Sequence, residues 1–220
     1  MICQSIGETL ETTSHGAHAR SKKDDAAVTE AGDALRQARE FMSEANGPPE
    51  SEEEQERLTR TMHALDHASR LAEVAGEKEE FGPAPGGSED ARAAELCAEA
   101  LRNAALIAGK VGALRDDPDQ VTRVNAPDGK NETAADGVLV EQALVQLEHC
   151  ARTLRELQRD HRNVALSSIA AGVASADEAI ARIDTVRRLE TLARRAWRSA
   201  VYLTDSPVEP DAESPLSPVL

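Results

Sequence analysis

Aromatic residues are almost missing: two Phe, one Tyr and one Trp, or 2% of 220 residues. A core without large rings has to be filled by aliphatic chains and alanine, which suits closely packed helices better than sheets. Alternating runs of Val, Ile, Thr, Tyr and Phe are absent too, so strands have almost no support. No window approaches the roughly 18 apolar residues that a membrane span needs. Met1–Leu10 lacks a cationic stretch followed by an apolar one, so no secretory signal is expected. Cysteine is sparse: Cys3, Cys97 and Cys150 are odd in number, far apart and in no metal-ligand spacing, which reads as reduced thiols in a cytoplasmic protein. Nucleophile–base pairs, phosphate-cradling glycine loops and dinucleotide fingerprints are also missing. Neither an enzyme nor a bound cofactor is expected.

What is present is charge, unevenly spread. The net charge is −15. Residues 1–150 hold 15 Lys and Arg against 30 acids, residues 151–204 hold 10 Arg against 6 acids, and the tail from 205 holds 4 acids and no base. An acidic body argues against nucleic acid as a partner, because phosphate binding needs a basic footprint.

The apolar pattern is helical throughout. Ile2, Ile6, Leu10 and Thr13 suggest a helix over residues 2–20. A second runs from about Asp25 to Ala45 and stops at Asn46-Gly47-Pro48-Pro49. Ser51 with Glu54 forms a capping box that opens a third helix, ended by the Gly82–Gly87 stretch. In that third helix Leu58, Met62, Leu65, Ala68, Ala72 and Ala75 recur at three and four and define the expected inward face. The fourth helix begins at Ser88 and turns Leu96 or Cys97, Leu101, Ala104, Ala108, Val111 and Leu114 inward. Its Gly109 and Gly112 cost roughly 1 kcal/mol each relative to Ala, which close contact with another helix would explain. Residues 116–137 read as a polar loop. The fifth helix spans about 138–171, with Val140, Leu147, Leu154, His161 and Ser168 at intervals of seven, interleaved with Leu144, Ala151, Gln158 and Ala165. Gly172 breaks it. Ser175 with Glu178 is a second capping box, and the sixth helix follows to about Leu203, with Ala176, Ile180, Ile183, Val186, Ala193, Ala196, Trp197, Ala200 and Val201 as its stripe. The tail 205–220, with four prolines and four acids, is expected to be disordered. The fold class is all-α: six helices as two antiparallel three-helix bundles, over 1–81 and 88–204.

Three constellations stand out. His63 and His67 lie four apart with Asp66 beside them and Arg70 next along, so both imidazoles could reach one metal ion. The plainer reading is that these groups bond across the bundle and orient neighbouring helices. Arg152, Arg155, Arg159 and Arg162 form a basic stripe on the fifth helix, and Arg187, Arg188, Arg194, Arg195 and Arg198 add cations on the sixth. That face could dock an acidic partner or anionic headgroups, or be neutralised within the chain by Glu156, Glu190 or the acidic 50–56 run. Acid pairs four apart occur at Glu156/Asp160 and Glu132/Asp136; one helical pair reads as a solvated face, and no metal cluster is expected. Trp197 sits at core spacing and reads as packing.

The segment 61–71 (Thr61-Met62-His63-Ala64-Leu65-Asp66-His67 to Arg70-Leu71) resembles PhoU-like domains, nearest to the cytosolic PhoU-like domain attached to bacterial sodium/phosphate cotransporters. Residues 162–203 resemble them again at Arg162, Gly172, Asp177, Glu178 and Ala179, and at Trp197-Arg198 with Tyr202-Leu203. The matched segments cover about a quarter of the chain. Two features depart from the pattern: no transmembrane helices precede the domain, and Arg194-Arg195 stands where relatives often have a Tyr-His pair. The resemblance implies a non-enzymatic regulatory or accessory module of phosphate transport. Its partner would be a membrane phosphate transporter or that transporter's signalling partner, met through helix surfaces at the inner face of the membrane. A metal-binding protein built on His63, Asp66 and His67 is the rival reading, and a homodimer is left open.

Overall fold

The computed structural model describes residues 22–44, 51–76, 88–116 and 130–204. Among them are five helices and no strand: α1 (Lys22–Glu44), α2 (Glu52–Gly76), α3 (Ser88–Asp116), α4 (Lys130–Ala170) and α5 (Ala176–Thr204). The helix expected over 2–20 and the tail from 205 lie outside the described residues.

Local chemistry sets the helix ends. The Glu54 amide donates to Ser51 Oγ at 3.2 Å, and Glu52, Glu53 and Glu54 occupy the first turn of α2, where the dipole favours acids. Gly172 closes α4 with φ of 68°. Its amide donates to Ile169 O and that of Val173 to Ser168 O, both at 3.0 Å, which is the paired bonding of a Schellman cap. Two residues later the capping box is reciprocal: Glu178 N donates to Ser175 Oγ and Ser175 N to Glu178 Oε2, each at 3.3 Å. A stop and a start this close fold α4 and α5 into an antiparallel hairpin.

α3, α4 and α5 pack pairwise against one another. Their shared core is aliphatic and alanine-rich: Leu101 and Ile107 on α3, Leu147 and Leu154 on α4, Val186 and Leu192 on α5 are all nearly sealed from solvent. Burying a side chain of that size contributes about 1.5–3 kcal/mol relative to leaving it exposed. Alanines at 93, 100, 104, 143, 151, 193 and 196 let the three backbones approach. Cys97 and Cys150 fill the α3–α4 contact as small hydrophobes, and burial pushes both thiols up, Cys150 to about 11. α2 packs on α5, contributing Leu71 to the same core, and α1 packs on α2. The six-helix, two-bundle plan goes further than these five helices.

Several expectations are corrected. The inward face of α2 is Ala64, Leu71 and Ala72, whereas Leu58 and Met62 are 39% and 49% exposed. α5 lies beside α2 from about His63 onward, so the apolar stripe of the turns before it is less covered among the described residues. Residues 116 and 130–137 belong to helices rather than to a loop; Lys110 Nζ on Asp136 Oδ1, at 2.7 Å, ties the early part of α4 to α3. Ala108, Ala176 and Ile180 face outward, and Ala179 takes the buried place on α5. A Cβ at Gly109 or Gly112 would meet no atom within 4 Å, so close helix contact does not account for them.

Candidate functional site

The residues singled out in α2 lie against α5. Three hydrogen bonds register the two helices antiparallel: Ser199 Oγ donates to Ala64 O (3.2 Å), Arg195 Nη1 to His67 Nδ1 (3.0 Å) and Arg188 Nη2 to Val74 O (2.9 Å). The last satisfies a carbonyl near the end of α2, where the helix has no partner of its own to offer. Arginine can only donate, so Nδ1 of His67 is the acceptor and its proton sits on Nε2. Burial, and next the Arg195 charge, hold the His67 pKa down to about 4, which leaves the ring neutral at physiological pH. Burial and the neighbouring Arg194 likewise hold Arg195 below its ordinary range.

Tyr202 stacks on both imidazoles, 5.0 Å from the His63 ring and 5.7 Å from the His67 ring, with interplanar angles of 24° and 10°. Asp66 turns the other way. Its carboxylate meets Arg70 Nε at 3.1 Å and Arg39 Nη2 of α1 at 3.7 Å, so it links α1 to α2. The cluster is therefore a packing seam, with His67 and Asp66 bonded to neighbouring helices and His63 stacked on Tyr202. A cation placed there would face the Arg195 guanidinium, and among the described residues no group of three or more His, Cys, Asp and Glu side chains could hold a metal ion.

The arginine stripe divides. Arg152 pairs with Glu148 at 2.7 Å and Arg194 with Glu190 at 3.2 Å, each within its own helix. Arg155 is half-buried, while Arg159, Arg162 and Arg187 are exposed and make no ion pair among the described residues. The acidic start of α2 lies at the other end of α5 and touches none of them. Trp197 lies in the shared core, 8% exposed, with the Arg198 guanidinium 5.0 Å from its ring centre.

One constellation was not foreseen. Asp90, in the first turn of α3, is nearly sealed from water; its Oδ2 accepts from Arg182 Nη2 of α5 at 2.8 Å, and its Oδ1 lies 2.8 Å from His161 Nε2 of α4. The histidine contact is close but not aligned as a hydrogen bond, and His161 Nδ1 is buried without a partner. A single carboxylate thus joins three helices. The only sequence signal was His161 interrupting an apolar seam. No family model, curated protein or solved structure matches the chain.

Proposed function

We propose that the chain is a non-enzymatic helical module that regulates or couples phosphate transport through protein contacts on its helix surfaces, as its resemblance to PhoU-like domains implies. The observation that carries this reading is the use made of residues 63–70, the segment of the resemblance. His67 and Asp66 are committed to joining α2 to α5 and to α1, and His63 is stacked on Tyr202. A motif spent on packing fits a family signature that keeps an architecture rather than a reaction. Surfaces, not an interior site, are then left to do the work, and the exposed Arg159 and Arg162 supply a basic one on an acidic body. The two-bundle plan and a place at the inner face of the membrane belong to the same reading.

The test is to co-purify the chain with its host's phosphate transporter and to measure phosphate uptake after deletion. The reading predicts association and altered uptake. Unchanged uptake together with no association removes it.

A further inference from the structure

The seam between α2 and α5 carries an excess of arginine on a chain whose net charge is −15. Arg195 has neutral His67 as its hydrogen-bonded partner and makes no ion pair among the described residues. Arg194 and Arg70 stand close enough to press their charge on it, and Arg198 acts on His67 in the same way. Three acids are near. Asp66 lies between Arg70 and Arg39 of α1, and Glu190 is held by Arg194. Glu73, seven residues after Asp66 on the same stripe of α2, is exposed. Farther out on α1, Arg36 is shared by Asp33 and Glu40, all three exposed. At the seam itself five guanidinium groups (Arg39, Arg70, Arg194, Arg195 and Arg198) outnumber the three carboxylates.

The sequence that follows α5 has the opposite sign. Residues 205–220 hold Asp205, Glu209, Asp211 and Glu213 and no base. They follow Thr204, two residues past Tyr202, whose ring stacks on His63 and His67 beside the arginines. From Thr204 the chain has two ways to run. Ahead lies the start of α2: Ala64 meets Ser199, so the first turns of α2 extend past Thr204. That stretch carries Glu52, Glu53, Glu54 and Glu56 against Arg57 and Arg60, and Arg60 is paired with Glu56. Like charges there turn an acidic segment away. Behind lies the arginine seam.

Reach and tethering select the occupant. Arg195 stands nine residues before Thr204, about 14 Å back along the helix axis. Five extended residues span about 17 Å, so Glu209 and the two acids after it can all come level with Arg195. Attachment to α5 holds these carboxylates at a high effective concentration beside the seam, so individually weak ion pairs suffice. We infer that the acidic tail 205–220 turns back along α5 and lies on the α2–α5 seam, its carboxylates against Arg195, Arg198 and Arg70. The seam is then a docking surface that the chain itself occupies, and an acidic partner has to displace the tail to use it. This inference is independent of the transport reading. Exposed ion pairs are screened by salt, so the contact is salt-sensitive.

Paramagnetic relaxation, measured by NMR on the full chain, tests it. A nitroxide is attached at Ser214→Cys in a background with Cys3→Ser; Cys97 and Cys150 are sealed and escape labelling. At low salt the amides of 67–70 and 191–198 should broaden strongly and those of 52–56 little, although the latter lie no farther from Thr204 along the axis. High salt should abolish the difference. Neutralising the tail with Asp205→Asn, Glu209→Gln, Asp211→Asn and Glu213→Gln should abolish it too, and these changes lie outside the described helices. A tail of native charge that broadens both sets equally at low salt overturns the inference. A preference for the seam that survives neutralisation or high salt overturns it as well. Broadening of an isotopically labelled chain by a spin-labelled second copy would place the contact between molecules, and that result also overturns it.

Discussion

At the residue scale, the most connected side chain is Asp90. Removing its carboxylate takes the acceptor from the Arg182 guanidinium and the packed neighbour from the sealed His161 imidazole. Asp90→Ala should cost about 3 kcal/mol in urea unfolding, near the low end for breaking a buried pair because Arg182 is 45% exposed. A loss under about 1 kcal/mol would mean that the carboxylate braces nothing. His67 makes the second prediction. Its folded pKa of about 4 lies below the ordinary 6.5, so the unfolded chain binds the proton more readily. Its contribution to stability is complete above pH 6.5, is lost as pH falls toward 4, and is constant below that. In His67→Gln the unfolding free energy should change less steeply with pH across that window; an unchanged slope would show that the ring does not titrate there. These two residues also show what a sequence can hold. His63 and His67, four apart, share a side by local spacing, and with Asp66 beside them were readable as a group. The Asp90–Arg182 bond spans 92 positions and depends on how α3 meets α5, which no local pattern records.

At the scale of elements, boundaries with their own chemistry were the easiest to read. Gly172 at φ of 68° and the Ser175–Glu178 box both stand in the local sequence, and the α4–α5 turn follows from them. Gly172→Ala should lose about 1 kcal/mol, since a Cβ is unfavourable in the left-handed region. Ser175→Ala should lose a similar amount through the cap. Thermal melts of the two variants check both, and a gain in stability from Gly172→Ala would contradict the turn geometry. The seam of α4 was legible because Leu147, Leu154 and His161 are buried along a helix with neighbours on two sides. α2 misled for the converse reason. Leu58 and Met62 do share a stripe, but a stripe does not say how far along the helix a partner reaches. The start of α4 was missed because Asn131, Asp136 and Gly137 look like loop residues, whereas the Lys110–Asp136 ion pair lies across the fold.

At the scale of the whole molecule, the arrangement is graded. α3, α4 and α5 hold almost all of the sealed leucines and alanines. α2 adds Leu71, with Ala64 and Ala72 buried and Val74 and Ala75 packed beside the core, and polar bonds fasten it to α5; among the described residues α1 adds one buried alanine, Ala31, and the Arg39–Asp66 contact. Apolar burial sets most of the resistance to opening. Native-state hydrogen exchange on the full chain reads that gradient directly. The amides around Leu101, Leu147–Leu154 and Leu192–Ala196 should exchange together and slowest, those of the second half of α2 faster, and those of α1 fastest. If the α1 amides prove as slow as those of Leu154, α1 is bound into the core and the graded arrangement is wrong.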